Sequence, residues 1–308
     1  MLLFALALQV TDSDIIARTL RPADLRLSGP RIKSDLQKAG VRMDRWQSVV
    51  RVAGQANMIV VDTQLPPKEI GTRYAPVVVW ADGSRVRTLT IEASTLDGCE
   101  SERWRRVGSH IYGALVGIQG NAQAPVAVCL EPGKSGWKIE SKSESDDLLF
   151  RIQFASSTGP DLRVDLRSYD LLSFDQPHAG PLGTDECIWT YSNGHYIHGA
   201  KHRVHNAFDA FDRCCHAILK SDLAVVREIC PSSSLRAALT DSVHSVSHGG
   251  KMHVNCPYSV EMDDGHVFSV DESKFFSLAQ RGGRWKIVST GPQSKYRNTV
   301  PAGLRLKA

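Results

Sequence analysis

The chain lacks a C-x-x-C pair among its seven cysteines, and no two pairs stand at zinc-ribbon spacing, so a structural zinc site is not expected. It has no G-x-S-x-G, no H-E-x-x-H and no G-x-G-x-x-G, which removes the common signatures of hydrolases, zinc proteases and dinucleotide binders. Pro132-Gly133-Lys134-Ser135 ends like a phosphate-binding loop, but Val128 stands where the first glycine belongs, and without that loop the backbone amides cannot cradle a phosphate. The net charge of +4 is spread along the chain with no Lys/Arg block, so nothing marks a nucleic-acid binder. After the N-terminus no apolar run reaches the length of a membrane helix, and an integral membrane protein is not expected. Repeats and low-complexity tracts are absent too.

What is there is ordinary globular material. With 308 residues, 42% hydrophobic and 23% charged, the chain has room for two domains with cores of their own. It opens on MLLFALALQV, too short to span a bilayer but matching the apolar region of a secretory signal, with Ala5-Leu6-Ala7 as a small-x-small cleavage site. The basic residues that usually precede such a run are missing, which leaves a buried N-terminal element as the alternative. Export to a secreted or periplasmic location is the expectation, and it permits disulfides. A turn near Ser221-Asp222 brings Cys214 or Cys215 opposite Cys230, so a bridge is expected there; the alternative is three buried thiols acting as small hydrophobes.

In chain order, Ser28-Gly29-Pro30 opens one helix that Gly40 closes, and Asp44 caps a second over 45–52. Strands are expected over 75–80 and 85–92 about Ala81-Asp82-Gly83-Ser84, with a loop or short helix over 97–108. Short strands then follow at 111–118, 125–130, 137–141, 148–154 and 162–166, a spacing that suggests an antiparallel sheet or sandwich. A long loop over 175–185 leads to a hairpin about Asn193-Gly194. A domain boundary is placed at 199–202.

Beyond it, Val204, Phe208, Phe211, Cys215 and Ile218 recur at helical spacing on one stripe, with His205, Asp209, Asp212 and His216 on a wet one. Over 251–262, Met252, Val254, Cys256, Tyr258, Val260 and Met262 alternate with polar residues, as in one long half-buried strand. Asp264-Gly265 turns it back, and Gly282-Gly283 closes a final hairpin that pairs Leu278 with Ile287 and Gln280 with Trp285.

Helical start, further short helices, strands and a closing GGRWKIVST: this succession resembles a nuclear transport factor 2-like (ketosteroid-isomerase-like) domain over 201–292. The resemblance implies helices laid across a curved antiparallel sheet with a conical pocket between them. The fold class expected is therefore α+β, with a leader over 1–20, a mostly antiparallel β domain with short helices over 21–200, the cone-shaped domain, and a tail over 293–308.

In such a fold Phe208, Phe211, Cys215, Val254, Cys256, Val260 and Trp285 would line the pocket. If Asp264-Gly265 closes a two-residue turn, Tyr258 lies across from Asp271, and a phenol beside a carboxylate on a partly dry wall is what acid-base chemistry on a carbonyl compound needs. A structural Tyr–Asp contact is the plainer alternative. His195, His198, His202, His205 and His216, then His244, His248 and His253, suggest a metal site, but strand and helix boundaries divide them, and imidazoles scattered over a surface are the simpler reading. No metal site and no cofactor are expected. The composite reading is an exported bacterial-type two-domain protein whose C-terminal pocket domain binds a small molecule or a protein partner, with a homodimer left open. The alternatives are an isomerase, dehydratase or hydrolase acting through Tyr258 and Asp271, and a metal-binding or structural envelope protein.

Overall fold

The computed structural model describes residues 11–43, 49–65, 73–92, 98–119, 122–168, 183–243, 245–248, 251–254, 258–260, 266–270, 274–292 and 295. Among them the protein is α+β. The chain divides into two compact units, one made of Met1–Leu166 and Glu186–Lys201, the other of Arg167–Asp185 and His202–Ala308. The leader run lies outside the described residues. No helix among the described residues is long and apolar enough to cross a membrane.

The first unit begins with α1 (Asp12–Thr19), where the Thr11 side chain accepts from the Asp14 N–H and the Asp14 carboxylate accepts from the Thr11 N–H. This reciprocal cap satisfies two end groups that the helix itself leaves orphaned. Ser28 then precedes α2 (Gly29–Lys38), with Pro30 in its first turn as the sequence predicts. The described part of the helix expected over 45–52 is strand instead. Residues 44–48 lie outside the described residues, and Val49–Ala53 is strand β1, whose β-branched side chains pair antiparallel with β2 (Met58–Leu65).

Six more strands complete an eight-stranded sheet: β3 (Arg73–Asp82), β4 (Arg85–Thr90), β5 (Gly98–Val107), β6 (His110–Gln119), β7 (Ala122–Gly133) and β8 (Gly136–Glu144). Their order is β4-β3-β2-β1-β5-β6-β7-β8, antiparallel throughout except for the parallel pair β1–β5. The loop or short helix expected over 97–108 is therefore strand β5. Its charge misled the reading: Cys99, Ser101 and, past a bulge, Trp104 are buried, while the Glu and Arg residues between them stand further into solvent.

The sheet curls on itself. Met58, Val60, Val78 and Trp80 from β2 and β3 share one apolar cluster with Ile111, Leu115, Val126 and Val128 from β6 and β7. The alternate residues of β2 and β3, among them Ile59, Val61, Val77 and Val79, pack beneath Ile16, Ile32 and Leu36 of the two helices. Close approach inside the curl depends on a missing side chain: a Cβ on Gly113 would sit 2.7 Å from the Trp104 ring.

A second sheet, β12-β11-β10-β9, is built from β9 (Leu149–Phe154), β10 (Leu162–Ser168), β11 (Gly183–Ser192) and β12 (His195–His198), with β13 (His202–Val204) pairing to β11. The hairpin about Asn193-Gly194 forms as expected, Ser192 facing His195. Within the first unit, Leu149, Ile152, Leu162, Val164 and Trp189 of this sheet pack on Tyr112, Ala114, Ala127 and Cys129 of β6 and β7.

The second unit carries α3 (Ala207–Leu219), α4 (Leu223–Ile229) and α5 (Ser233–Ser242). Then come a separate hairpin, β14 (Ser245–His248) with β15 (Lys251–Val254), and a four-stranded antiparallel meander of β16 (Tyr258–Val260), β17 (Val267–Ser269), β18 (Phe275–Arg281) and β19 (Arg284–Gly291). The long strand expected over 251–262 is thus divided between two sheets. The closing hairpin has the predicted register, Leu278 opposite Ile287 and Gln280 opposite Trp285, about Gly282 and Gly283 at φ 59° and 73°.

Gly113→Ala should lower stability by about 1–3 kcal/mol, the usual cost of overfilling a packed interior. Chemical denaturation checks this, and an unchanged midpoint would mean that the Trp104 ring has room to move.

Candidate functional site

The residues expected to surround a pocket come together only in part. Helix α3 starts at Asn206, whose side chain accepts from the Asp209 N–H at 2.9 Å, and it buries Phe208, Phe211, Cys214 and Cys215. The Phe211 ring lies 5.2 Å from that of Phe268 and 6.2 Å from that of Phe276, and Phe208 lies 5.4 Å from Phe268. Val226, Ile229, Leu239, Leu278 and Ile287 belong to the same cluster, and Trp285 packs against its edge. Phe208, Phe211 and Cys215 are therefore buried in one apolar cluster. The side chains of Val254 and Val260, and the whole of Cys256, lie outside the described residues.

Two further expectations change. Asp212, placed on the wet stripe, is only 4% exposed, because α4 and α5 as well as the sheet contribute to the cluster around α3 and cover more than one stripe of it. Tyr258 pairs with Ser269 and Val260 with Val267, two residues short of the register that puts Tyr258 across from Asp271. Asp271 and the Tyr258 side chain lie outside the described residues, as does the Asp264-Gly265 turn.

The expected bridge to Cys230 is also not made. Cys214, Cys215 and Cys230 are free thiols in one apolar cluster. Burial pushes Cys214 up to about 12 and Cys230 to about 11, so all stay protonated at neutral pH.

Among the described residues the histidines do not converge on one another. His195 Nδ1 contacts the Asn193 carbonyl at 3.1 Å, His205 Nδ1 meets the Asp209 carboxylate at 3.0 Å, and His198 stacks on Trp189 at 3.8 Å with its Nε2 at 2.7 Å from Ser143 Oγ. His244 and the side chains of His248 and His253 lie outside the described residues. The Pro132-Gly133-Lys134-Ser135 stretch forms the tight turn between β7 and β8, Gly133 facing Gly136.

The densest polar constellation lies elsewhere, in the first unit. The pairing of β7 with β8 slips between Cys129 and Leu130, opposite Ser141 and Ile139, so Glu140 is the unpaired residue of a β-bulge. Bulges re-aim side chains. The Glu140 Oε2 accepts hydrogen bonds from the Tyr191 hydroxyl of β11 and from the Cys129 thiol at 3.1 Å, and it lies 3.5 Å from His110 Nε2. Tyr112, Tyr191 and Tyr196 stack edge-on around it, with Tyr191 4.9 Å from Tyr112 and 5.3 Å from Tyr196.

The protons in this cluster are not shared evenly. The Tyr191 hydrogen bond holds the Glu140 carboxyl below its usual range, whereas burial pushes the Cys129 thiol up to about 12 and raises the Tyr191 phenol further still. At neutral pH the site is an anionic carboxylate held by two protonated donors. A thiol so hard to ionise is not an activated nucleophile. Beside it, Glu131 of β7 pairs with Lys138 at 2.8 Å. Ligand atoms of His110, Glu131 and Glu140 all lie within 4.8 Å of one another, the one set among the described residues with the spacing to hold a metal ion. Sequence reasoning missed this set because its members share no fixed ligand spacing and are joined only by two strand registers and a bulge.

Two outcomes follow from these side chains. Under denaturing, non-reducing conditions at least six of the seven cysteines should react with a thiol reagent; titration of fewer would restore a bridge. Burial lowers the His198 pKa, opposed by Asp147 and aided by Lys201, so the unfolded chain takes up its proton first as pH falls below about 6.5. This contribution to stability is intact above that pH and is lost below it. His198→Gln should therefore flatten the fall in Tm between about pH 7 and 5; a parallel fall in wild type and variant would exclude His198 as its source.

Compared with protein-family models, with curated proteins and with solved structures, the chain matches none.

Proposed function

We propose that the protein acts by binding rather than by turnover. In this reading it is an exported two-domain protein whose C-terminal part, a nuclear transport factor 2-like body with cone-like curvature, serves as an interaction module for a protein partner. The observation that supports the proposal is the aromatic contact of Phe208 and Phe211 with Phe268 and Phe276, which packs the helix directly on the sheet. The protonated state of the Cys129 thiol supports it from the other unit, since that thiol is not poised for nucleophilic attack. The acid-base alternative loses its geometric motive, because Tyr258 pairs with Ser269. Export rests on the apolar leader alone.

The test is a stability measurement on the full chain. If the interior is filled, Phe211→Ala removes a ring packed on every side and should cost about 3–5 kcal/mol in chemical denaturation. Wild type should meanwhile show no Tm rise with a panel of small apolar carbonyl compounds. A loss below about 1 kcal/mol together with a ligand-induced Tm rise in wild type would mean that Phe211 faces a hollow, and would overturn the proposal.

A further inference from the structure

We propose that His110, Glu131 and Glu140 form a binding site for one divalent transition-metal ion of zinc-like chemistry, independent of the interaction role assigned to the other unit. The three side chains come from three successive strands. Ile111 pairs with Leu130, so His110 and Glu131 stand side by side at the end of β6 and β7, and the bulge in β8 brings Glu140 to them. Their ligand atoms fall within 4.8 Å of one another. One imidazole nitrogen and two carboxylates are a donor set that zinc accepts, and three protein ligands leave a fourth position open to water.

The surroundings of the three residues argue for a site over a chance meeting of surface charges. Metal-bound imidazoles and carboxylates are usually held from behind by hydrogen bonds that leave the ligating atom free. Here the Nδ1 of His110 is taken by Ser109 Oγ at 3.0 Å, which leaves Nε2 on the Glu140 side. Glu140 is anchored through Oε2 by Tyr191 and Cys129, two groups outside the set of three. Glu131 is held by Lys138, whose side chain is 63% exposed and can leave without exposing any buried surface. Two carboxylates and an imidazole in contact also repel further negative charge and attract a cation. Among the described residues no other histidine stands within ligating distance of two further acidic, thiol or imidazole groups.

Isothermal titration of the full chain with zinc chloride tests the proposal, with His110→Ala, Glu131→Gln and Tyr191→Phe as variants and thermal melts to establish that each is folded. The expected result is one ion per chain, with affinity reduced at least about tenfold by His110→Ala and by Glu131→Gln. Tyr191→Phe should also weaken binding by about tenfold or more although the phenol touches no ion, because Glu140 loses its anchor. Heat that is the same in wild type and in folded His110→Ala and Glu131→Gln would place binding on other histidines and overturn the proposal. So would the absence of heat in wild type. Loss of binding in the two ligand variants without any effect of Tyr191→Phe would reduce the site to loose surface charges, which also overturns it.

Discussion

The central strands of the eight-stranded sheet must bury both of their faces, and the rest of the first unit answers that requirement. Val126, Val128 and Leu130 of β7 point into the curl of the sheet, while Ala127 and Cys129 point outward. A single-layer sheet would leave one of these sets in water, at a cost of about 25 cal/mol for each Å² of apolar surface. Helices α1 and α2 cover the outside of β2 and β3, and the second sheet covers the outside of β6 and β7. The curl itself covers the inside.

The polar hub at Glu140 sits where this apolar scheme ends. Even partly withdrawing a carboxylate from water is costly unless its oxygens receive donors, and Tyr191 and Cys129 supply them from two different strands. One bulged residue on β8 thereby links the large sheet to β11 of the small one by a charge-assisted hydrogen bond. The tyrosines around it, each with a phenol raised by burial, keep their protons and act as donors or as packing surface. The second unit has no comparable hub among its described residues; its interior is an aromatic and aliphatic cluster, with Glu228 tying Arg213 and Arg284 on the surface.

Local structure was readable wherever turn chemistry and periodicity agreed. Asn193-Gly194, Gly282-Gly283 and Ser28-Gly29-Pro30 announce two hairpins and a helix start because each fixes a backbone conformation within a few residues. The run PVVVW was readable as a strand, although which neighbour covers which face is a tertiary fact. Strand β5 was hidden by its charges, since Glu and Arg at the surface of a strand look in one dimension like a loop. The division of 251–262 between two sheets was hidden by an alternation that runs on across the break. The cluster about Glu140 was illegible for a different reason: no spacing rule spans a bulge, and its partners stand on β6, β7, β8 and β11.

The parallel contact of β1 with β5 has a kinetic meaning. On one side of it β1 to β4 follow one another as a meander, and on the other β5 to β8 do the same, so both halves are assembled from neighbours in sequence. The seam between them joins Val52 to Trp104 and Ala53 to Arg105, groups some fifty positions apart, and must bring the two halves together before it returns any bond. Closing so long a loop costs entropy in advance of any reward, and such pairings are slow. By this argument the seam closes after the meanders on either side of it, and until it shuts the oily interiors of both stand open to other chains.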